Sequence, residues 1–279
     1  MSIASEITRL QTAKSDLKTA IESKGVTVPS STTLDGYATL VGQISGGGGS
    51  TVTMANFPTL RLGYSFFTTI PYGVNFTGVT DFSYMFMKSD VTTILQGDID
   101  TSSGTDFTSM FDDCESLTSI AGIDTSSGVI FDGMFAGCNC LETLPSLDTS
   151  SGTSFYATFA YMNGLVTMPE YDLSSATDIT NIINECRALI NLGGFKDLGE
   201  AYLTSRSANY SAYTLNLQGE SYSPNNNISY ASLMNVINKL YDIATKGCNA
   251  QKLILGSTLM AKLTAEEIAI ATNKGWSIS

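Results

Sequence analysis

The sequence predicts an α/β repeat solenoid, a parallel sheet built on a 24-residue period, with an N-terminal helical oligomerisation stem. Three observations predict it. Four consecutive 24-residue lines agree column by column, the stretch Ser45 to Ser50 reads SGGGGS and separates them from what precedes, and the first residues carry apolar side chains at heptad spacing. The chain divides accordingly into a helical anchoring stem (1–45), a Gly-rich linker (46–50), a repeat body (51–205) and strand–helix capping repeats (206–279).

In the stem, Ile3, Ile7, Leu10, Leu17 and Ile21 alternate four- and three-residue steps, with Lys14 in the one polar slot of the seam. Such spacing places them on one helix face suited to self-association. Gly25 stops the helix and Pro29 prevents its resumption; a second short helix, Leu34 to Ile44, follows a Ser/Thr cluster suited to N-capping. The segment reads as a hairpin folding on itself or as an oligomerising stem. A helical piece this short has too little core to stand alone, which favours the stem. By peptide rules Ile and Leu in these slots lean toward two strands.

The repeats are legible as text. Gly104 begins GTDFTSMFDDCESLTSIAGIDTSS, Gly128 begins GVIFDGMFAGCNCLETLPSLDTSS, Gly152 begins GTSFYATFAYMNGLVTMPEYDLSS and Ala176 begins ATDITNIINECRALINLGGFKDLG. Phe107, Phe131, Phe155 and Ile179 share a column, as do Phe111, Phe135, Phe159 and Ile183. So do Leu117, Leu141, Leu165 and Leu189, then Ile120, Leu144, Met168 and Leu192, and an earlier copy with small indels starts at Val79. The FxxMF piece spaces apolar residues like one turn of helix, LxxI supplies a short strand, and Asp-Thr-Ser-Ser-Gly turns the chain. No unit can bury its apolar face alone, so neighbours must stack. Beyond the repeats, Tyr213 to Gly219 and Lys252 to Gly256 read as strands and Tyr230 to Ala244 as an amphipathic helix. Thr264 to Asn273 reads as a helix with Thr264 and Glu267 in capping-box positions, and Trp276 to Ile278 closes the chain.

Composition narrows the function. Only 14% of residues are charged and 43% are hydrophobic, a balance common outside cells and on virions. With net charge −12 and 14 basic residues in no run, no nucleic-acid partner is expected. The polar N-terminal helix reads as no signal peptide, and no apolar run approaches a membrane span, so no membrane insertion is expected. Histidine is absent, which removes the commonest general base and zinc ligand. Five cysteines, Cys114, Cys138, Cys140, Cys186 and Cys248, suggest no disulfide framework. No catalytic residue, metal site or cofactor is expected.

The column Asp100, Asp124, Asp148, Asp172 could chelate a hard cation, but each Asp is better read as accepting N–H bonds in its own turn. Cys114, Cys138 and Cys186 share an inward column that Met162 interrupts, which suits small apolar interior residues better than a metal. Asp112 with Glu115 could serve a glycosidase, although both read as decoration of a solvated turn. Tyr156, Tyr161, Tyr171 and Tyr202 fall near unit turns, where aromatic rings suit recognition or packing equally, and they are the candidate binding residues.

The pattern of Met110, Phe111, Cys114, Leu117, Ile120, Ile123 and Asp124, repeated one and two units on, resembles the BspA-like leucine-rich repeat of bacterial surface and gut-phage proteins over about Val79 to Phe195. KGVTVPSSTTLDGYATLVGQI looks like the leader of phage virion proteins, and LGSTLMAKLTAEEIAIATNKGWSIS resembles the cap that accompanies such leaders. The resemblance implies a tail, baseplate or head-fibre protein of a phage of gut bacteria, a homotrimer, bound to other virion proteins and to a host-surface glycan or protein. A bacterial cell-surface adhesin is the alternative, and a glycan-active enzyme a third. Met162 in the cysteine column and the two isoleucines of the last unit depart from the pattern.

Overall fold

A computed structural model describes residues 76–95, 98–198, 200, 213–220, 223–245 and 250–279, with Ser15, Lys18, Thr19 and Glu22 of the N-terminal segment. Those four are helical, and Lys18 pairs with Glu22 at 3.7 Å one turn on. The seam Ile3, Ile7, Leu10, Leu17 and Ile21, the second stem helix and the Gly-rich linker lie outside the described residues.

The expected α/β solenoid with one parallel sheet is overturned. In the repeats the described strands are two residues long: β1 (Thr93–Ile94), β2 (Ser119–Ile120), β3 (Thr167–Met168), β4 (Tyr171–Asp172), β5 (Asn191–Leu192) and β6 (Phe195–Lys196). They pair parallel as β1–β2, β3–β5 and β4–β6, each a separate small sheet. The FxxMF segments are turns, not helix, and among the residues described without interruption the helices lie after Ser229. The result is a β-rich chain of short strand pairs with modest helix content.

The physical reason lies in backbone handedness. Two positions in each unit adopt the left-handed region: Tyr84, Ser109, Gly133, Ala157 and Asn181 in one column, Lys88, Asp113, Gly137, Tyr161 and Glu185 in the other. A left-handed residue every few positions forbids an α-helix. Alternate N–H groups then leave the coil instead of closing on it. Phe107, Ser109, Phe111 and Asp113 donate to the carbonyls of Ile130, Asp132, Met134 and Ala136 in the next unit, at 2.7–2.9 Å, while Met110, Asp112 and Cys114 bond back three residues within their own coil. The same bonds recur from Phe82 to Tyr161. On the opposite side the polarity reverses, with Thr118 donating to Thr92 and Ile190 to Val166.

Inside, the phenylalanines form two columns of stacked rings. Phe82, Phe107, Phe131 and Phe155 follow one another at 5.1–5.6 Å, with ring planes nearly parallel, and Phe86, Phe111, Phe135 and Phe159 at 5.4–6.1 Å. The first column dictates glycine: a Cβ on Gly152 would sit 2.3 Å from the Phe155 ring. In the last unit Ala176 replaces that glycine and Ile179 replaces the phenylalanine, so both change together.

The buried thiols are polar fasteners. Cys114 donates to Phe86 O (2.8 Å), Cys138 to Phe111 O (3.0 Å) and Cys186 to Phe159 O (2.9 Å). Beyond the last coil, Asn225 Nδ2 donates to Ile183 O at 2.7 Å and takes the thiol's place. That bond spans 42 residues where the Cys186 bond spans 27, so Asn225–Ser229 continues the register after an insertion. Ser229 N–H donates to Ile190 O just as Ile190 N–H donates to Val166 O.

From there the chain changes character. A parallel three-stranded sheet, β7 (Thr214–Asn216), β10 (Gln251–Ile254) and β11 (Trp276–Ile278), has β10 at its centre; β8 (Gly219–Glu220) and β9 (Ser223–Pro224) form a separate antiparallel pair. Helix α1 (Tyr230–Lys239) is shorter than the sequence pattern, because its last carbonyls are taken by the Lys274 ammonium, which donates to Ile237 O, Asn238 O and Leu240 O. A short α2 (Gly256–Met260) precedes α3 (Ala265–Asn273), whose capping box joins Thr264 and Glu267 in both directions.

Candidate recognition surface

The candidate residues divide between the Asp-Thr-Ser-Ser side of the units, the turn face and the core. The Asp column lies on the Asp-Thr-Ser-Ser side. Asp100, Asp124, Asp148 and Asp172 each accept both the N–H and the hydroxyl of the serine two residues on, at 2.6–3.2 Å. The preceding threonine is buried and donates across to the next unit, as Thr125 Oγ1 does to Asp148 O at 2.9 Å. The Ser126 backbone and hydroxyl bonds hold the Asp124 carboxyl below its ordinary value, and the equivalent Ser102 bonds do the same for Asp100. At Asp172, burial raises the carboxyl, but Lys196 at 2.7 Å and Ser174 outweigh it, and the net shift is downward. These are turn-capping carboxylates. No group of three or more potential metal ligands comes together among the described residues.

The thiols sit in the core. Burial pushes Cys114 up to about 11 and Cys186 up to about 12, and Cys138 well above its ordinary value. None of these is a poised nucleophile. Asp112 is half-buried on the turn face, where burial and the adjacent Asp113 carboxylate raise its carboxyl, while Glu115 stands in solvent.

The four tyrosines part company. Tyr171 is no surface residue: it is 1% exposed, its ring lies 5.1 Å from that of Phe159, and its hydroxyl donates to Pro145 O at 2.8 Å. It extends the second phenylalanine column, so its place among the candidate binding residues is withdrawn. Tyr202 lies outside the described residues. Tyr156 and Tyr161 are exposed, at 48% and 46%, on the turn face of a single coil. Tyr161 sits on left-handed backbone, φ 60°, where the preceding unit carries Gly137.

The preceding coil supplies a carboxylate beside Tyr156 that sequence reasoning missed. Asp132 Oδ1 accepts the Tyr156 N–H at 2.9 Å and the Ser154 hydroxyl at 2.6 Å, which fixes a carboxylate at the foot of Tyr156. Asp113, two coils before Tyr161 in the same column, leans over Gly137, with Oδ1 2.4 Å from where a Cβ would be. The signal was available in the glycines at both left-handed positions of one unit, Gly133 and Gly137, beside two tyrosines in the next.

Residues 80–193 match the family model described as Mycoplasma protein of unknown function, DUF285. The matched stretch is the one whose coils share the 24-residue columns. No curated protein and no solved structure matches the chain. Among the described residues, no helix is long and apolar enough to cross a membrane.

Proposed function

We propose that the chain is a non-catalytic structural protein of a bacteriophage virion, part of a tail, baseplate or head fibre, that offers its turn face to a host-surface glycan or protein. The observation carrying the proposal is the pair Tyr156 and Tyr161, exposed on one coil while the phenylalanines of the repeats are buried. Exposed aromatic rings are where recognition energy concentrates. The stem seam at Ile3, Ile7, Leu10, Leu17 and Ile21 supports self-association, since its alternative is an apolar stripe in water, and the resemblance to phage fibre proteins favours three copies anchored to other virion proteins. A second reading, a BspA-type adhesin on a bacterial cell surface, draws support from the matched family's being described from Mycoplasma.

Labelling with an antibody to this chain separates the two: decoration of purified particles supports the virion, and decoration of uninfected cells supports the adhesin. Binding of the purified protein to host cells should fall in a Tyr156→Ala/Tyr161→Ala variant. Undiminished binding would remove the turn face from the proposal. Light scattering should give a trimer for the full chain, and a monomer would refute the stem.

A further inference from the structure

We propose that Asn163 is a spontaneous modification site, where the backbone nitrogen of Gly164 displaces the side-chain amide and water leaves an aspartate or isoaspartate in its place. The proposal does not depend on what the turn face binds.

The Asn-Gly pair occurs once in the chain, and the coil holds both halves of it in place. Packing dictates the glycine. A Cβ on residue 164 would lie 2.0 Å from Asn139 O in the preceding coil, although Ser116, Cys140 and Ala188 occupy the same column elsewhere. Hydrogen bonds to the neighbouring coil favour the asparagine. Its N–H donates to Asn139 Oδ1 at 3.0 Å, and its Nδ2 donates to that oxygen and to Tyr161 O, both at 3.3 Å. The outcome is an exposed asparagine followed by a residue with no side chain to shield its nitrogen.

The turn leaves that nitrogen free. Leu165 N–H donates to Met162 O at 3.1 Å, which closes a turn with Asn163 and Gly164 at its centre. Such a turn does not use the N–H of its second central residue, and the Gly164 N–H has no partner among the described residues. Two neighbours supply the contrast. Asp132–Gly133 could close the same ring, but there the glycine N–H is committed to Tyr156 O at 2.8 Å. Asn139 stands in the same column as Asn163, but Cys140 follows it and carries a side chain.

The chemistry needs only water and a trace of hydroxide. Hydroxide takes the Gly164 N–H proton, and the nitrogen lone pair forms a bond to Asn163 Cγ. The Cγ–Nδ2 bond breaks and Nδ2 leaves with a proton as ammonia. Water then opens the succinimide at either carbonyl. Opening at Cγ gives aspartate, and opening at the main-chain carbonyl gives isoaspartate, whose backbone runs through the former side chain. Both products lose the Nδ2 bonds to Asn139 and Tyr161 and set a carboxylate against Asn139 Oδ1.

Ageing the full chain at mildly alkaline pH, folded and in urea, tests the proposal by peptide mapping and isoaspartyl methyltransferase labelling. Acid should appear at Asn163 in the folded protein several-fold faster than at Asn139, and at a rate comparable to that in urea. Asp132 should isomerise in urea and be protected in the folded chain. Conversion of Asn163 in urea alone would show that the turn protects it and would overturn the proposal. Equal rates at Asn163 and Asn139 would overturn the part given to Gly164, and unprotected Asp132 would overturn the part given to the free N–H. In Asn163→Gln the longer side chain disfavours ring closure, so the methyltransferase label of the aged folded protein should vanish. A label that persists there would place the reaction elsewhere.

Discussion

The repeat body and the C-terminal unit solve one problem in opposite ways. Between Thr80 and Gly193 every second backbone bond along the turn face leaves its coil for a neighbour, and the core is a pair of ring columns. After Ser229 the helix starts are capped within their own first turns, by a serine on α1 and a capping box on α3, and Lys274 at the end of α3 closes the carbonyl end of α1. Stability in the first region is shared between like units, and in the second it combines local helix caps with bonds between unlike elements. The two meet where Asn225 and Ile228 continue the coil register.

The sharpest way to break this contrast is Phe135→Ala. Its ring lies between those of Phe111 and Phe159, and truncation should cost about 3–5 kcal/mol, read by urea denaturation. Because coils share their contacts, the whole repeat body should lose stability together. A transition left unchanged would contradict the ring columns.

Gly152→Ala should cost roughly 1–3 kcal/mol through overpacking against Phe155. Combined with Phe155→Ile, which copies the Ala176/Ile179 pair, the double variant should be more stable than the sum of the two changes allows. Strict additivity would show that the pairing in the last unit is accidental.

At the junction, Asn225→Leu strips Ile183 O of its donor and should cost about 1–3 kcal/mol, whereas Asn225→Cys should recover part of it because thiols fill that slot in the coils. Equal losses in both variants would disprove the equivalence. In the C-terminal unit, Thr264→Ala should cost about 1 kcal/mol, with faster amide exchange confined to α3. Faster exchange reaching the coils would erase the distinction between shared and local stability.

The smallest effect is electrostatic. Asp124 has a carboxyl depressed by Ser126, so its contribution is present above the ordinary aspartate value of about 3.9 and is lost as pH falls through the depressed one. For so exposed a group it amounts to a few tenths of a kcal/mol at about neutral pH. Asp124→Asn, which keeps an acceptor oxygen, should flatten the acid limb of the melting curve slightly. An acid limb identical to that of the parent chain would remove Asp124 from the account.

What was legible in the sequence was the register, because identical side chains recur in it. The columns of Phe107 and Phe111, the inward cysteines, the turn role of Asp124 and the cap at Thr264 all follow from spacing and residue type. The local conformation did not follow. FxxMF has helical spacing, and at the two left-handed positions most units carry side chains, Ser109 and Asp113 among them, that conceal the handedness. Bonds to the neighbouring coil offset that strain, and they are invisible along the chain. Tyr171 was misplaced because its partner is Phe159, in a different column of the unit. Asn225 was missed because its interval is not that of the repeats. Asp132 became a candidate only once its neighbours in the next coil were in place.

The uniform polarity of the turn bonds bears on how such chains change length. Each coil offers the same donors forward and the same acceptors backward, so an in-frame duplication of Gly128 to Ser151 would present matching groups at both new boundaries. The genetic event that lengthens the protein therefore leaves no mismatched seam to repair. Reach becomes a quantity selection can adjust one unit at a time, while the two tyrosines travel outward or inward with the count.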